Sequence, residues 1–191
     1  MVDGMENGGG KNTMKVANER KVRSSEVLLR FLALLSTLIA VIVTIVSEET
    51  ELVPVVVLAN LPPVYVPATA KWQYSSAFVY FLVANVIACA YAALTLMLSI
   101  MKVAGTNGIA MVMIVFDLLV VALLFSSSGA AAAIGVVGYK GNVHVRWEKV
   151  CDIFAKYCRY TATAVAVSLF GSTVFLVLLA LTALHLRKKS L

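Results

Sequence analysis

Four long stretches of this chain are almost free of charged residues, and each approaches or exceeds the length that crosses a lipid bilayer. They cover 31–47, 72–101, 103–139 and 160–186, and the third contains one acid, Asp117. A helix needs about 20 apolar residues to cross the hydrocarbon core. The chain is 61% hydrophobic and 14% charged, whereas soluble domains are about 45–50% apolar and about 25% charged. The sequence therefore predicts an all-α membrane protein, a bundle of four transmembrane helices.

The boundaries of these stretches define the expected organisation of the chain. We expect the four helices at about 27–47, 74–101, 107–137 and 160–186. They lie in a membrane domain that covers 26–187, and outer loops at 48–73 and 140–159 connect them on one side. Residues 1–25 contain a glycine run and mixed charges, which is typical of a flexible tail, and 188–191 form a second short tail.

A fifth uncharged stretch, 52–70, has the length of a span but contains all four prolines of the chain: Pro54, Pro62, Pro63 and Pro67. Proline has no backbone N–H and holds the preceding residue in an extended geometry. Backbone groups without partners are not tolerated in lipid. We therefore expect an apolar loop that lies on the membrane or on the bundle, with a re-entrant hairpin as the alternative.

The distribution of lysine and arginine predicts the orientation. With both termini and the turn between the second and third spans on one side, that side carries ten of the 16 basic residues and the other side carries six. Basic residues are enriched on the cytoplasmic side of membrane proteins, and those flanking the first span have the strongest influence. We therefore expect both termini in the cytosol.

One acid and one base fall inside the predicted spans. Asp117 lies about 15 Å into the third span at about 1.5 Å per residue, and Arg30 lies near the cytosolic boundary of the first. A charge in the membrane should face the bundle and have a partner. We expect an interhelical ion pair between Arg30 and Asp117 that fixes how the two helices dock, and the alternative is a proton or ion relay.

The third span continues into a run of small residues that favours close helix packing. Small residues let helices approach closely in lipid, and hydroxyl groups bond across the contact. The pattern fits packing within one four-helix bundle and contact between protomers equally well. The packing candidates are Ser126, Ser127, Ser128, Gly129 and Gly135.

The second outer loop is the most polar connection and contains Trp147, Cys151 and Cys158. A zinc site with His144 as third ligand would lack the paired short spacings of such sites. A disulfide suits an oxidising outer face. In an unbroken helix the two cysteines would lie about 10 Å apart along the axis, so a disulfide requires a bend or a helix end between them.

The residue patterns that mark catalysis are not found in the sequence. It contains no phosphate-binding glycine loop, no nucleophile–base arrangement and no metal-ligand cluster. We therefore expect no enzymatic activity, no cofactor and no bound metal. The net charge of +6 comes from residues that flank apolar stretches, which indicates topology and contact with lipid head groups rather than binding to nucleic acid.

These features together resemble the Casparian strip membrane domain protein (CASP) family of land plants. The similarity rests on four spans with Arg30 in the first and Asp117 in the third, on the stretch YSSAFVYFLVAN at 74–85, and on the loop pattern W-x2-VC-x2-F-x2-YC at 147–158. It covers about residues 25–187. The apolar, proline-rich first outer loop resembles the CASP-like branch more than the founding members.

The resemblance implies a multi-pass scaffold of the plasma membrane with a MARVEL-like bundle. Founding members of the family assemble into an immobile membrane domain and guide local cell-wall modification by recruiting secreted enzymes. By analogy we expect homo- or hetero-oligomers with related four-span proteins, in which Trp147 is an outer-loop assembly candidate. The alternatives are a small transporter or channel that uses Asp117 and a trafficking protein of vesicle membranes.

Overall fold

The computed structural model describes residues 7–55, 64–101, 107–142, 144 and 147–190. Within them it has four long α-helices, one short one and a short 3-10 helix at Trp72–Tyr74. The α-helices are α1 (Asn7–Val46), α2 (Ser76–Ile100), α3 (Asn107–Lys140), α4 (Val150–Ile153) and α5 (Ala155–Ser190). All four long helices contain a segment that is long and apolar enough to cross a membrane. The predicted fold class, an all-α membrane protein with four spans, is confirmed.

The four long helices pack in a ring. Helix α1 contacts α2 and α5, and α3 contacts the same two helices. Helices α1 and α3 therefore lie at opposite corners of the bundle, as do α2 and α5. We call the end with the connections α1–α2 and α3–α5 the loop end, and the end with both termini the tail end.

Two apolar clusters fill the interior, one toward each end. The tail-end cluster contains Ala88, Leu124 and Phe175, and the loop-end cluster contains Phe81 and Ala131 with their neighbours. Many large apolar side chains also point outward, such as those on α3 and α5. An apolar exterior is expected where lipid replaces water as the solvent, and it explains why the spans show little helical amphipathicity.

A β-hairpin occupies the first connection, which the sequence analysis describes as an apolar loop. Strand β1 (Glu49–Val55) pairs antiparallel with β2 (Val64–Ala70), from Glu49↔Ala70 to Val55↔Val64. The prolines do not prevent this pairing, because Pro54 and Pro67 fall in the same class of cross-strand pair. In one of the two alternating classes of an antiparallel pair, the N–H groups point away from the partner strand. A proline in that class removes no hydrogen bond between the strands.

Helix boundaries differ from the expected ones by four residues or more at three places. Helix α1 begins at Asn7, so the structure is helical in much of the segment 1–25 that we expected to be a flexible tail; its Lys, Met, Ala, Glu and Arg residues are good helix formers. Helix α5 begins at Ala155, inside the expected loop 140–159, and continues to Ser190, past the expected start of the second tail.

Candidate functional site

Arg30 and Asp117 meet inside the bundle, although their helices lie at opposite corners. The distance from Arg30 Nη2 to Asp117 Oδ2 is 3.8 Å, and the side chains are 4% and 0% exposed. Helix α1 brings Arg30 inward on the same face as Ala33 and Thr37, which are fully buried. The structure thus brings together the two charged residues that the sequence places inside the spans.

Tyr91 of α2 is a third member of this site, which the sequence analysis missed. Its hydroxyl donates to Asp117 Oδ1 at 2.7 Å and lies 3.2 Å from the carbonyl oxygen of Met113. The ring also stacks on Phe116. A signal for it exists in the sequence, because every other tyrosine of the chain lies near the ends of the stretches that meet at the loop end.

The ion pair is close but leaves hydrogen-bonding capacity unused. Arg30 Nη1 and Asp117 Oδ2 are buried without a hydrogen-bond partner. At 3.8 Å the contact between Nη2 and Oδ2 is electrostatic rather than a hydrogen bond. Removing one member of such a pair would leave the other charge uncompensated in a medium of low dielectric constant.

A second polar layer joins three helices deeper in the bundle. Ser168 Oγ of α5 donates to Asn85 Oδ1 of α2 at 2.9 Å, and Ser128 Oγ of α3 lies 3.2 Å from Ser168 Oγ. All three residues are fully buried. This layer spans the other diagonal of the bundle, and the sequence analysis did not identify Asn85 or Ser168 as part of any site.

Most of the side chains between the two polar layers are apolar. Asn85 precedes Tyr91 by six residues on α2, about 9 Å along the helix. Between these levels lie Ala88 and Leu124, both fully buried in the tail-end cluster. Buried hydroxyl groups that donate to backbone carbonyls of their own helices also lie between these levels: Ser36, Thr37 and Ser172. The two layers are therefore two cross-links between helices, and no hydrogen bond between side chains of the described residues joins one layer to the other.

The small residues of α3 divide between the interior and the exterior. Ser127 and Ser128 are fully buried, whereas Ser126 is exposed and receives a hydrogen bond from Tyr80 Oη at 3.4 Å. A side chain added at Gly129 or Gly135 would meet no atom within 4 Å. The serines thus serve packing within the bundle, and the two glycines leave open space on its surface.

One close approach between helices involves a glycine of α5. A Cβ atom at Gly171 would lie 2.6 Å from Ser36 Oγ and 3.3 Å from Ser36 Cβ on α1. Both residues are buried. Gly171 therefore allows the backbone of α5 to pack directly against the Ser36 side chain of α1. A larger residue at position 171 would push the two helices apart.

The second connection contains the disulfide between Cys151 and Cys158, with Cα atoms 5.7 Å apart. The break that this bridge requires lies at Phe154, where φ is −107° and ψ is 60°, between α4 and α5. Phe154 and Tyr157 turn into the loop-end cluster and fix the bend. Among the described residues no group of three or more metal-ligating side chains lies together.

The hairpin and the second connection are tied together by Glu49. Its Oε2 accepts a hydrogen bond from the backbone N–H of Tyr157 at 2.7 Å. Tyr157 is the third residue of α5, whose first N–H groups have no partner within the helix. A carboxylate there also interacts favourably with the positive end of the helix dipole.

Trp147 is held on the surface by a backbone bridge to Asn142. Asn142 and Trp147 exchange two backbone hydrogen bonds of 2.9 and 3.0 Å. Gly141 has φ +68°, and a Cβ atom there would lie 2.8 Å from the Trp147 carbonyl oxygen, so only glycine suits this position. The Trp147 side chain is 60% exposed and is therefore available for contact outside the protomer.

The disulfide leads to a testable expectation about the second connection. Closing so short a loop stabilises a protein by about 2–3 kcal/mol, less than closing a long one. Cys151→Ser should therefore still give a folded, inserted protein, with a melting temperature lowered by about 5–10 °C. Cys89→Ser, at a thiol outside the bridge, is the matched control. Peptide mapping of unreduced protein should recover Cys151 linked to Cys158; two alkylated thiols there would contradict the bridge.

Comparisons with known proteins extend over nearly the whole chain. The family described as "Casparian strip membrane protein domain" matches residues 19–174. The chain is 50% identical to "CASP-like protein 1E1" of Ricinus communis, with 99% of this chain and 94% of that protein aligned. It is 48% identical to "CASP-like protein 1E2" of Vitis vinifera over 92% and 90% of the two chains. For "CASP-like protein 1E1" of Arabidopsis thaliana the identity is 45% over 97% and 95%. No solved structure matches the chain significantly.

Proposed function

This chain belongs to the Casparian strip membrane protein domain family, and on that premise we propose that it is an oligomeric scaffold that organises a domain of the plasma membrane. The proposal includes both termini in the cytosol, because ten of the 16 basic residues lie on the side with the termini. The scaffold would have no catalytic activity of its own. Its partners would be related four-span proteins, the surrounding lipid and secreted cell-wall enzymes.

The observation that carries this proposal is that the buried polar groups connect helices to one another. Arg30, Asp117 and Tyr91 connect three helices near the tail end, and Asn85, Ser128 and Ser168 connect three helices farther in. Each set serves contact between helices, and no hydrogen bond between side chains of the described residues joins the two sets. Such an interior favours a rigid protein that acts through its surface.

Two surface features suit contact between copies. Gly129 and Gly135 leave open space on the outward side of α3, where a helix of another protomer could approach closely. Trp147 is exposed at the loop end, and tryptophan is enriched in the contacts that dominate protein interfaces. The first feature lies within the membrane segment and the second in the outer connection.

Assembly can be tested by fluorescence recovery of a tagged copy in plant cells. We expect slow recovery for the wild type and faster recovery for Gly129→Leu, because a larger side chain would block helix approach without a clash inside the protomer. Ala166→Leu, at an exposed position of α5, is the matched control and should recover slowly. Fast recovery of the wild type would contradict the scaffold, and equal recovery of all three would contradict the α3 contact.

A small transporter or channel is the second candidate function. It is favoured by one observation, the buried Arg30 Nη1 and Asp117 Oδ2 atoms without hydrogen-bond partners, since intramembrane charges often mark ion or proton pathways. Proton or ion flux into vesicles that contain wild-type or Asp117→Asn protein separates the two functions. A flux that the substitution abolishes would support transport, and no flux above empty vesicles supports the scaffold.

A further inference from the structure

The distal half of the hairpin, which consists of residues 52–54 and 64–67, is exposed on both faces. Leu52 pairs with Pro67 and Val53 pairs with Val66, so the two pairs point to opposite faces of the sheet. Leu52 is 63% exposed on one face and Val66 is 45% exposed on the other. Neither face of the distal half is therefore fully covered by the described part of this protomer.

The proximal half of the hairpin is different, because it packs on the bundle. Ala68 and Ala70 contact the loop-end cluster, and Glu49 binds the beginning of α5. From Leu52 to Ala70 the sequence contains no charged residue. A hairpin of this composition, standing in water, would present two apolar faces to the solvent, and large exposed apolar patches are rare on soluble monomers.

The edges of the hairpin are unsuited to pairing with a strand of another protein. Pro54 and Pro67 share a pairing class, so the missing N–H of Pro54 lies on the outer edge of β1 and that of Pro67 on the outer edge of β2. Proline on an edge strand prevents continuation of a sheet. Both edges carry this block, and sheet extension by a second chain is disfavoured.

The loop end also carries exposed aromatic residues around the bundle. They are Tyr65, Tyr74, Tyr139, Trp147 and Tyr160. Tyrosine and tryptophan are enriched where a bilayer meets water, because their rings are apolar at one end and polar at the other. Since α1 ends at Val46 and β1 begins at Glu49, the hairpin starts directly at this boundary and is continuous with the lipid-facing surface.

We propose that the distal half of the hairpin lies in the interfacial layer of the adjacent lipid leaflet, so that the protein contacts lipid through this hairpin as well as through its four spans. A protein partner would cover one face, whereas lipid covers both. The backbone edges set the depth, since unpaired carbonyl groups are costly in hydrocarbon but can bond to water and head groups at the interface. This inference does not depend on the scaffold role.

Spin labels on the full-length protein in phosphatidylcholine nanodiscs can test the position of the hairpin. In a Cys89→Ala background with the disulfide intact, single labels are placed at Leu52→Cys and Val66→Cys, on opposite faces. References are Glu148→Cys, exposed in the second connection, and Leu176→Cys, on the outward face of α5. Collision rates with oxygen, which concentrates in lipid, and with a water-soluble nickel chelate are measured at each site.

We expect oxygen to exceed the chelate at both hairpin sites, with ratios between those of Glu148 and Leu176. Chelate access equal to that of Glu148 would place the hairpin in water and overturn the proposal. Protection of one site from both reagents would show a protein, such as a second copy, on that face and would overturn it too. If Leu52→Cys does not elute as a single species, Pro67→Cys reports on the same face.

Discussion

Arg30→Leu and Asp117→Leu should each lower the free energy of unfolding by about 3–5 kcal/mol, because each leaves a buried charge without its partner. The residues are almost completely buried, and their charged atoms are 3.8 Å apart. The double substitution should recover a large part of the loss, since it leaves an apolar contact with no isolated charge. Equilibrium unfolding in mixed micelles measures all three variants against the wild type.

The coupling free energy between the two positions tests whether Arg30 and Asp117 interact. Additive losses would show that Arg30 and Asp117 do not interact. Tyr91→Phe is the control for the remaining polar contact, since it removes the hydroxyl that donates to Asp117 and keeps the ring. We expect it to cost about 1.5–3 kcal/mol, the net contribution of a hydrogen bond to a charged group.

Gly171→Ala should destabilise the protein while Gly129→Ala stabilises it or leaves it unchanged. The new Cβ at position 171 would lie 2.6 Å from Ser36 Oγ, and at position 129 it would meet nothing within 4 Å. Overpacking costs about 1–3 kcal/mol, whereas alanine in place of an exposed helical glycine gains up to about 1 kcal/mol. The melting temperature should therefore fall for Gly171→Ala and rise or stay the same for Gly129→Ala.

A second-site change identifies the cause of the loss at Gly171. Ser36→Gly removes both atoms that the new methyl group would meet, so it should restore much of the stability of Gly171→Ala. A Gly171→Ala variant as stable as the wild type would contradict the close approach of α1 and α5. A loss that Ser36→Gly leaves unchanged would assign the effect to another contact.

The spans could be predicted because the signal for them is local. Uncharged stretches of sufficient length have few alternatives to a membrane-spanning helix, and the four helices follow from them. The meeting of Arg30 and Asp117 follows from depth, since each residue has a fixed rise along its helix and an isolated charge in lipid is too costly. Depth alone was enough to pair them.

The rest of the site depends on helix rotation, which the sequence does not reveal in a membrane protein. A soluble helix shows its buried face by its apolar side, but here both sides are apolar, so nothing marked Asn85 and Ser168 as facing each other. The same uncertainty left Gly129 and Gly171 equivalent in the sequence, although one faces open space and the other a serine. The hairpin was missed because prolines suppress the strand signal unless the pairing register is known.

The hydrogen bond between Glu49 and Tyr157 has a consequence for biogenesis. It joins residues 108 positions apart, and its acceptor lies directly after the first span while its donor lies in the last. During synthesis the first three spans can be inserted before α5 exists, and Glu49 then has no helix end to bind. The hairpin therefore reaches its final position only after the fourth span emerges. Because Tyr157 is next to Cys158, neither docking of the hairpin through Glu49 nor closure of the disulfide can precede synthesis of the segment 151–158.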